Sequence, residues 1–335
     1  MTLYRPVHDV TIGAYRFHNL DPAAPRGALE QITVSASRQA ESDQARVDFP
    51  YDAKDLDIHT FHEGDAVTIA LGNIPGISAQ LVFAGEVAKV GPGVPVWLEC
   101  RDVLHKLGKK PFSKVFRDVT PNSLGGVLQE IAGDVAVETG EVPPQFNLTR
   151  FVCDNHTPRF ALRELAKKLG CDFYGIPGSS RVYFGYPYME LALTQTFVPL
   201  FRYGLNILDE GTLVYREKSP VGQVVVYGVD GSFKKRTVKG VWPSPAHEGP
   251  VRTFERELTT AADAAEEAQR LYAEMSSSRW EGSFTTVGRG DVRHSMRCKI
   301  EDPDQPARSL HADVEAVTHN YGTEYTMDVA IAHAD

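Results

Sequence analysis

The sequence predicts a mainly β fold with α+β insertions, arranged as two antiparallel β-barrels and a helix–hairpin domain. Short segments with alternating apolar and polar residues fill the first hundred residues and most of the last third, as in half-buried strands. The middle third instead carries apolar residues at helical spacing. A weak similarity between the two β-rich parts indicates that one barrel repeats the other.

These patterns divide the 335-residue chain into three expected domains. Residues 1–102 form the first barrel and residues 103–208 the α+β helix–hairpin domain. Residues 209–335 form the second barrel, with an inserted loop and helix segment at about 230–282. A chain of this length commonly holds two or three domains, each large enough to bury a core.

The first barrel is predicted from short strands separated by turn residues. The strands are Gln31–Ser37, Ala45–Phe49, Ala66–Leu71, Leu81–Val90 and Val94–Cys100. Glycine, proline, asparagine and aspartate, which favour turns, lie between them. Short strands with this spacing are typical of a small barrel or sandwich.

Two helices and a hairpin are predicted in the middle domain. Thr120-Pro121 starts the first helix, which ends at Gly133. Thr157-Pro158 starts the second, which ends at Gly170. Their apolar stripes are Leu124, Val127, Leu128 and Ile131, and Leu162, Leu165, Ala166 and Leu169. The hairpin strands that follow are Cys171–Ile176 and Arg181–Gly185.

The last third is predicted as strands with one helix among them. The strands are Gln223–Tyr227, Ser283–Val287, Met296–Ile300, Ala312–Thr318 and Tyr325–Ile331. The segment Lys234–Pro250 is polar and rich in proline, which predicts a loop or extension. Thr259 or Thr260 caps the helix, whose apolar face includes Ala264 and Ala268.

An internal repeat relates residues 64–100 to residues 290–331. Each copy begins at a Gly-Asp pair and continues through a strand, a loop and two further strands. The corresponding apolar residues are Phe83, Val87 and Val90 in the first copy and Leu310, Val314 and Val317 in the second. Two similar barrels in one chain would let three chains present six similar faces around an axis.

Charge and composition restrict the functions available to the chain. The formal net charge of −9 argues against tight binding to a phosphate backbone, which needs clustered Lys and Arg. No apolar run approaches the roughly 20 residues that span a bilayer. The N-terminal MTLYRPVHDV lacks the pattern of a signal peptide. We therefore expect a protein that is made in the cytoplasm and does not insert into a membrane.

The four cysteines lie far apart and form no CxxC pair; they are Cys100, Cys153, Cys171 and Cys298. This spacing predicts free buried thiols in a reducing compartment, with a structural zinc site as the alternative.

No catalytic, cofactor-binding or metal-binding residues are predicted. The sequence contains no GxSxG, HExxH, P-loop or GxGxxG motif. His59, His62, Glu63 and Asp65 could bind a divalent ion, but the Glu-Gly-Asp order favours a solvated turn. The acidic stretch Glu301–Asp304 lacks the spacing of a calcium loop and is interpreted as a surface loop.

Two more features allow both a specific and a structural interpretation. Arg289-Gly290-Asp291 is the tripeptide of cell-adhesion ligands, yet Gly-Asp also suits a turn that enters a strand. A group of aromatic residues could stack nucleic-acid bases or bind protein, but fits a hairpin packed on the preceding helix. These residues are Phe173, Tyr174, Tyr183, Phe184, Tyr186 and Tyr188.

Three stretches resemble the late-control D proteins of phages, the baseplate hub family of contractile tails. That family includes the trimeric hub portion of type VI secretion spike proteins. The stretches are Phe61–Leu107 (FHEGDAVTIALG to VWLECRDVLHKL), Thr120–Gly185 (TPNSLGGVLQEIAG to RVYFG) and Ala261–Ile331 (AADAAEEAQRLYAEM to YTMDVAI). They cover most of the chain in the family's order. Arg289-Gly290 stands where the family usually has Pro-Gly.

The resemblance implies a structural subunit with two tail-tube-like barrels and no enzymatic activity. It implies a homotrimer in the tail baseplate of a virion, assembled in the host cytoplasm, with six barrels in a ring. The implied partners are the tail tube or distal tail protein, baseplate wedge proteins, the tape-measure protein and a spike. We expect the spike to be a separate protein, because the chain ends soon after the second barrel. DNA is expected to pass through the lumen without specific binding.

Two other functions stay open on the sequence alone. A tail-tip module that binds a host receptor or carbohydrate would present aromatic side chains around Tyr183–Tyr188 at its periphery. A peptidoglycan hydrolase would use the acidic and histidine-bearing loops. Contractile and long flexible tails use similar hubs, so the motifs fit both.

Overall fold

The computed structural model describes residues 5–20, 29–51, 59–74, 76, 78–91, 93, 96–186, 197–216, 221–230, 235–256, 258, 260–276 and 279–334. Most strands belong to one 14-stranded sheet, to which two smaller α+β units are attached. The mainly β class predicted from the sequence is confirmed. Within the described residues, no helix is both long enough and apolar enough to cross a membrane.

The first β-module is an antiparallel sheet with one buried face. Its strands are β1 (Arg5–Ile12), β2 (Tyr15–His18), β3 (Gln31–Ser37), β4 (Gln44–Asp48), β5 (Ala66–Ile74), β6 (Gln80–Gly91) and β7 (Trp97–Asp102). They lie in the order β3-β4-β7-β6-β5-β1-β2. Alternate residues such as Val10, Ile69 and Leu98 are fully buried, which is why the period of two located most of these strands.

The helix–hairpin unit follows directly on β7. Its elements are α1 (Val103–Leu107), β8 (Phe112–Val119), α2 (Pro121–Ala132), β9 (Val137–Thr139), β10 (Leu148–His156), α3 (Pro158–Leu169), β11 (Asp172–Gly175) and β12 (Val182–Gly185). Both predicted helices begin and end where the sequence signals place them. Thr157 caps α3 through its hydroxyl, and Gly170 ends it in the left-handed conformation at φ 68°.

The rest of the chain forms a second β-module with a small inserted unit. The elements are β13 (Leu200–Arg202), β14 (Ile207–Asp209), β15 (Val214–Arg216), β16 (Gln223–Asp230), β17 (Lys235–Trp242), β18 (Val251–Arg256), α4 (Ala261–Ser276), β19 (Arg279–Val287), β20 (Arg297–Glu301), β21 (Leu310–Tyr321) and β22 (Tyr325–Ala334). The boundary predicted after residue 208 falls within β14, whose partner is β19 of the second module.

The inserted unit is a three-stranded sheet, in the order β17-β16-β18, covered by α4. Val224 and Val226 of β16 pack against Ala264 and Ala268 of the helix. Thr260 caps α4, because its hydroxyl accepts a hydrogen bond from the N–H of Asp263 at 3.1 Å.

The prediction of a loop at Lys234–Pro250 is wrong for most of its first half, which is β17. This strand lies at the sheet edge and meets α4 through Gly240, where a Cβ would overlap the backbone of Ala264. Because a glycine stands at this contact in place of an apolar side chain, the strand shows little apolar alternation in sequence. The prolines of the segment follow β17 in the connection to β18.

The two β-modules repeat one strand order. Strands β5-β6-β7-β4-β3 lie side by side in the first module, and β20-β21-β22-β19-β14 in the second. The chain visits the equivalent positions in the same sequence in both. The outermost strands differ, because β1 is antiparallel to β5 whereas β13 is parallel to β20.

The repeat extends to the hydrogen bonds of one valine in each module. The N–H of Val87 donates to the carbonyl of Asp65, and the carbonyl of Val87 accepts from the N–H of Gly64, both at 2.8 Å. In the same way, the N–H of Val314 donates to the carbonyl of Met296 at 2.8 Å, and the carbonyl of Val314 accepts from the N–H of Ser295 at 2.7 Å. The pairing register shifts directly after each valine. The sequence therefore matched the valines correctly, but the equivalent of Gly64-Asp65 is Ser295-Met296 and not Gly290-Asp291.

Candidate functional site

The joint between the two β-modules is the candidate functional site, because it makes one sheet out of two repeats. The first half of β21 pairs with β20, and its second half, Ala316–Tyr321, pairs with Ile32–Ser37 of β3. The N–H of Arg38 donates to the carbonyl of Glu315 at 3.1 Å. The strand-to-strand ladder thus continues across the module boundary without a gap.

Tyr321 at the end of β21 fixes this joint through a buried polar contact. Its hydroxyl lies 2.8 Å from Nδ1 of His8 and accepts a hydrogen bond from Nδ2 of Asn19 at 2.9 Å. Burial lowers the pKa of His8 to about 4 and raises that of Tyr321 to about 12. Both groups are therefore neutral near pH 7, as buried polar partners that share a hydrogen bond should be.

A second tyrosine and histidine lie beside the first pair. The hydroxyl of Tyr325 is 2.9 Å from Nδ1 of His319. Burial lowers the pKa of His319 to about 3, so this ring is also neutral. Tyr321 and Tyr325 belong to the second module in sequence, but both pack in the hydrophobic core of the first. The two modules consequently share a core as well as a sheet.

The loop that contains Arg289-Gly290-Asp291 docks on the first module. Asn73 at the end of β5 donates through Nδ2 to the carbonyl of Gly288 at 2.7 Å. Gly290 is buried so closely against β5 that a Cβ would overlap the carbonyl oxygen of Leu71. Arg289 and Asp291 pair with each other through two contacts of 3.0 and 3.1 Å. The tripeptide thus makes structural contacts within the chain, as its turn interpretation predicted.

One face of the sheet carries a row of polar side chains that crosses both modules. Residues directly opposite each other on neighbouring strands share a face. The row, called the polar row below, contains Thr285, Asp328, Thr318, Ser35, Gln44, Arg101 and Glu86, one each from β19, β22, β21, β3, β4, β7 and β6. At the module joint, Ser35 Oγ and Thr318 Oγ1 are 3.2 Å apart.

Two acidic side chains on and beside the polar row have local hydrogen-bond partners. Asp328 accepts hydrogen bonds from Thr285 at 2.6 Å and Asn320 at 2.9 Å. Arg46 forms a bidentate contact with Asp48 at 2.7 to 3.0 Å. The face therefore offers hydroxyls, amides and both acidic and basic side chains to whatever lies against it.

A buried acidic pair lies where the two β-modules and the helix–hairpin unit meet. Burial, and secondly the nearby carboxylate of Asp43, raise the pKa of Asp102 to about 7. Nε2 of His294, from the second module, is 3.8 Å from Oδ2 of Asp43. The ring of Tyr174, from β11, meets that histidine edge-on at 5.2 Å. Asp43, Asp102 and His294 were not singled out from the sequence, because only contacts between distant segments bring them together.

The residues considered for metal binding form turns. His59, His62 and Glu63 are exposed. Asp65 accepts the backbone N–H of His62 at 2.8 Å, which closes the turn before β5. Across the described residues no group of three or more potential ligands is close enough to hold a metal ion.

The acidic loop after β20 is also built by local hydrogen bonds. One oxygen of Asp302 accepts the N–H groups of Asp304 and Gln305 at 3.1 and 3.0 Å. Its other oxygen lies 3.1 Å from the guanidinium of Arg308. This aspartate consequently shapes the turn that leads into β21.

The four cysteines behave as core residues. All four cysteines are buried and free, as predicted. Burial raises the pKa of Cys100, Cys171 and Cys298 to about 12, so these thiols are protonated.

The aromatic hairpin packs inside the molecule. Phe173 and Phe184 share a core with α3, and Tyr174 stacks on Tyr183 with ring centres 4.9 Å apart. Tyr188 lies outside the described residues. The helix-packing interpretation of this hairpin is therefore correct for Phe173 and Phe184, whereas Tyr174 and Tyr183 form a separate buried cluster with Ile176.

Comparison with solved structures places the fold among tail proteins. A tail protein from Neisseria meningitidis MC58 matches with a TM-score of 0.65 and 13% identity, over 98% of this chain and 96% of that one. A 43 kDa tail protein of prophage MuSo2 from Shewanella oneidensis matches with a TM-score of 0.64 and 14% identity, over 99% and 100%.

A type VI secretion component is a third match. This E. coli protein, described as structurally similar to the T4 phage tail proteins gp27 and gp5, matches with a TM-score of 0.52 and 9% identity. The match covers 96% of this chain and 76% of that one. No protein-family model matches the chain. No curated protein sequence matches it.

At these identities the matches establish the fold alone. They confirm, at that level, the resemblance to hub-like tail proteins that the sequence motifs indicate.

Proposed function

We propose that this chain is a structural hub subunit at the end of a phage tail or of a related contractile injection machine. Three copies would form a ring of six β-modules that joins the tail tube to a spike. The repeated strand order of the two modules carries this proposal, because it lets a threefold assembly present six equivalent positions to a sixfold tube.

The joint between β3 and β21 supports a ring rather than a loose pair of modules. It continues the sheet from one module to the next with a defined register, and Tyr321 and Tyr325 lock it with buried contacts. A rigid joint inside each subunit fixes the angle between neighbouring modules. A closed ring needs such an angle, because an undefined one would give open chains.

The polar row would line the channel of the ring. Acidic side chains stand among the hydroxyl, amide and basic groups of this face, so a passing phosphate backbone would meet mixed charge in place of a purely cationic surface. The net charge of −9 acts in the same direction, since it repels DNA at long range. DNA, and before it the tape-measure protein, would thus move through the lumen without specific binding.

The proposed surroundings follow from the same role. The hub would contact the tail tube or distal tail protein on one side, a separate spike protein on the other, and baseplate wedge proteins around it. Its location would be the tail baseplate of a virion, after assembly in the host cytoplasm. In this proposal the chain keeps three parts: the first β-module, the helix–hairpin unit and the second β-module with its insertion.

No observation favours the two competing functions. The described aromatic rings of the hairpin are buried or half-buried, whereas a receptor-binding module needs them at the surface. The histidine and acidic loops proposed for a hydrolase form turns through their own backbone. We therefore propose a subunit without enzymatic activity.

Imaging and mass measurement test the proposal together. The purified chain, alone or with a spike or tube partner, should have the mass of a trimer. Its particles should be threefold rings with a central hole wide enough for a DNA duplex. A stable dimer, together with the absence of any ring of this protein in assembled tails, would contradict the proposal.

A further inference from the structure

The joint inside the chain is a template for a contact between chains. Val314 in β21 has its equivalent in Val87 of β6, by the matching hydrogen bonds and register shifts. Beyond the valine, β21 continues as Ala316–Tyr321 and pairs with β3. The equivalent continuation of β6 starts at Lys89, and Lys89–Gly91 pairs only with β7 among the described strands. Within the part of the chain that the structure describes, no strand lies on its other edge.

The partner that this edge needs also has an equivalent, at the far end of the sheet. In the first module, β3 pairs with β4; in the second, β14 and β15 pair with β19. Strand β7 pairs with β6 as β22 pairs with β21, so β7 and β22 are equivalent. When the two modules are matched along these strands, Val214–Arg216 of β15 takes the position of Ser35–Ser37 of β3. In the described structure β15 pairs only with β19, so its outer edge is open too.

Burial supports this match residue by residue. Val34 in β3 and its equivalent Leu213, just before β15, both lie in the cores of their modules. The next residues, Ser35 and Val214, both point outward. Val214 is 49% exposed and is apolar, and Leu208 on the neighbouring β14 is 57% exposed. Exposed apolar side chains along an open strand edge are what a strand-pairing interface covers.

We propose that Lys89–Gly91 of one copy pairs antiparallel with Val214–Arg216 of a second copy, in the register of the joint between β21 and β3. This inference rests on the proposed function and names the contact that closes the ring. Lys89 would lie opposite Arg216, as Ala316 lies opposite Ser37, and Gly91 opposite Val214, as Thr318 lies opposite Ser35. Three such contacts alternate with three internal joints around the ring.

A double cysteine variant, Lys89→Cys with Arg216→Cys, tests the register in the full-length chain. Opposed residues in an antiparallel pair are close enough for a disulfide. Under mild oxidation most of the chain should shift to a covalent trimer on a non-reducing gel and return to monomer on reduction. The native cysteines are buried, so they do not compete.

Matched controls isolate the register. Lys89→Cys with Leu208→Cys places the second thiol on the same edge but several residues away, and should give no covalent trimer. Each single variant should also stay monomeric on the gel. A covalent trimer of equal yield in the Leu208 control would overturn the proposed register.

The outcomes separate this inference from the proposed function. A threefold ring by mass and imaging, without a disulfide between positions 89 and 216, would overturn the strand contact and leave the hub role standing. A chain that forms no ring under any condition would count against both.

If the variants fold poorly, hydrogen exchange on the unmodified chain decides instead. The Val90 and Tyr215 amides should become protected on ring formation, and their unchanged exchange would overturn the contact.

Discussion

At the scale of single residues, the joint depends on buried polar groups that hydrogen-bond to each other. Tyr321, His8 and Asn19 form one such group and Tyr325 with His319 another. A buried hydroxyl that loses its partners is unfavourable, whereas a satisfied one contributes modestly to stability. These contacts therefore set the geometry of the joint as much as they stabilise it.

Removal of one hydroxyl measures this contribution. Tyr321→Phe should lower the free energy of unfolding by about 1–2 kcal/mol, because His8 and Asn19 each lose a buried partner. Urea unfolding followed by circular dichroism gives the difference. Tyr51→Phe is the matched control, since Tyr51 is 79% exposed, and should change stability little. Equal stability of Tyr321→Phe and the unchanged chain would mean that the hydroxyl does not hold the joint.

The buried acid Asp102 predicts a pH effect of defined sign. Because its folded pKa is raised to about 7, ionisation in the folded state is unfavourable, and its contribution to stability falls as the pH rises towards and through 7. Asp102→Asn cannot ionise. Its stability relative to the unchanged chain should increase by about 1–3 kcal/mol between pH 5 and pH 8.

Unfolding curves of both proteins at the two pH values check this effect. Asp304→Asn, at an exposed position, is the control and should show no such increase. A difference between Asp102→Asn and the unchanged chain that stays constant with pH would argue against the raised pKa.

At the scale of elements, a helix and a loop differ in how far their conformation depends on contacts with the rest of the chain. Helix α2 contains Gly125 and Gly126, both exposed and with open space around a Cβ. Its tertiary contacts lie on the opposite face, through residues such as Leu124 and Leu128. The loop at Gly288–Gly290, in contrast, is shaped by its contact with β5.

Alanine in α2 should therefore stabilise the protein. Gly125→Ala should raise the free energy of unfolding by about 0.5–1 kcal/mol, because alanine loses less backbone entropy in a helix and meets no neighbour. Thermal unfolding measures the change. A lower melting temperature would contradict the open space around this position.

Alanine in the docked loop should do the reverse. Gly290→Ala should destabilise the protein by about 2 kcal/mol or more, since the added Cβ overlaps the carbonyl of Leu71 and separates the loop from β5. Gly322→Ala is the control, because its nearest neighbour would be at an ordinary 3.7 Å. Denaturant unfolding compares the two; similar values would mean that the loop docks without close contact.

At the scale of the whole molecule, the charge distribution predicts how the protein meets nucleic acid. The isolated chain should not bind duplex DNA at moderate salt, because its net charge is −9 and the polar row mixes acidic and basic side chains. Fluorescence anisotropy with a labelled duplex is the measurement. Micromolar binding that weakens steeply with salt would show a cationic surface and would argue against a passive channel.

The sequence alone determined the local elements and the existence of a repeat. Alternation located strands such as Gln31–Ser37, and cap residues placed the ends of α2 and α3, because these signals depend on neighbours a few residues apart. The equivalence of Val87 and Val314 was also legible in sequence. The edge strand β17 was not predicted, because a strand beside a helix can have a glycine where it meets the helix.

Only the tertiary structure decided which edges meet. The pairing of β21 with β3 joins residues about 280 positions apart in the sequence. The contact between Tyr321 and His8 joins residues 313 positions apart. Periodicity fixes which face of a strand is buried, but many pairings of the same strands bury the same faces. The joint, the polar row and the edges that the described strands leave unpaired at β6 and β15 follow from the arrangement that packs both cores.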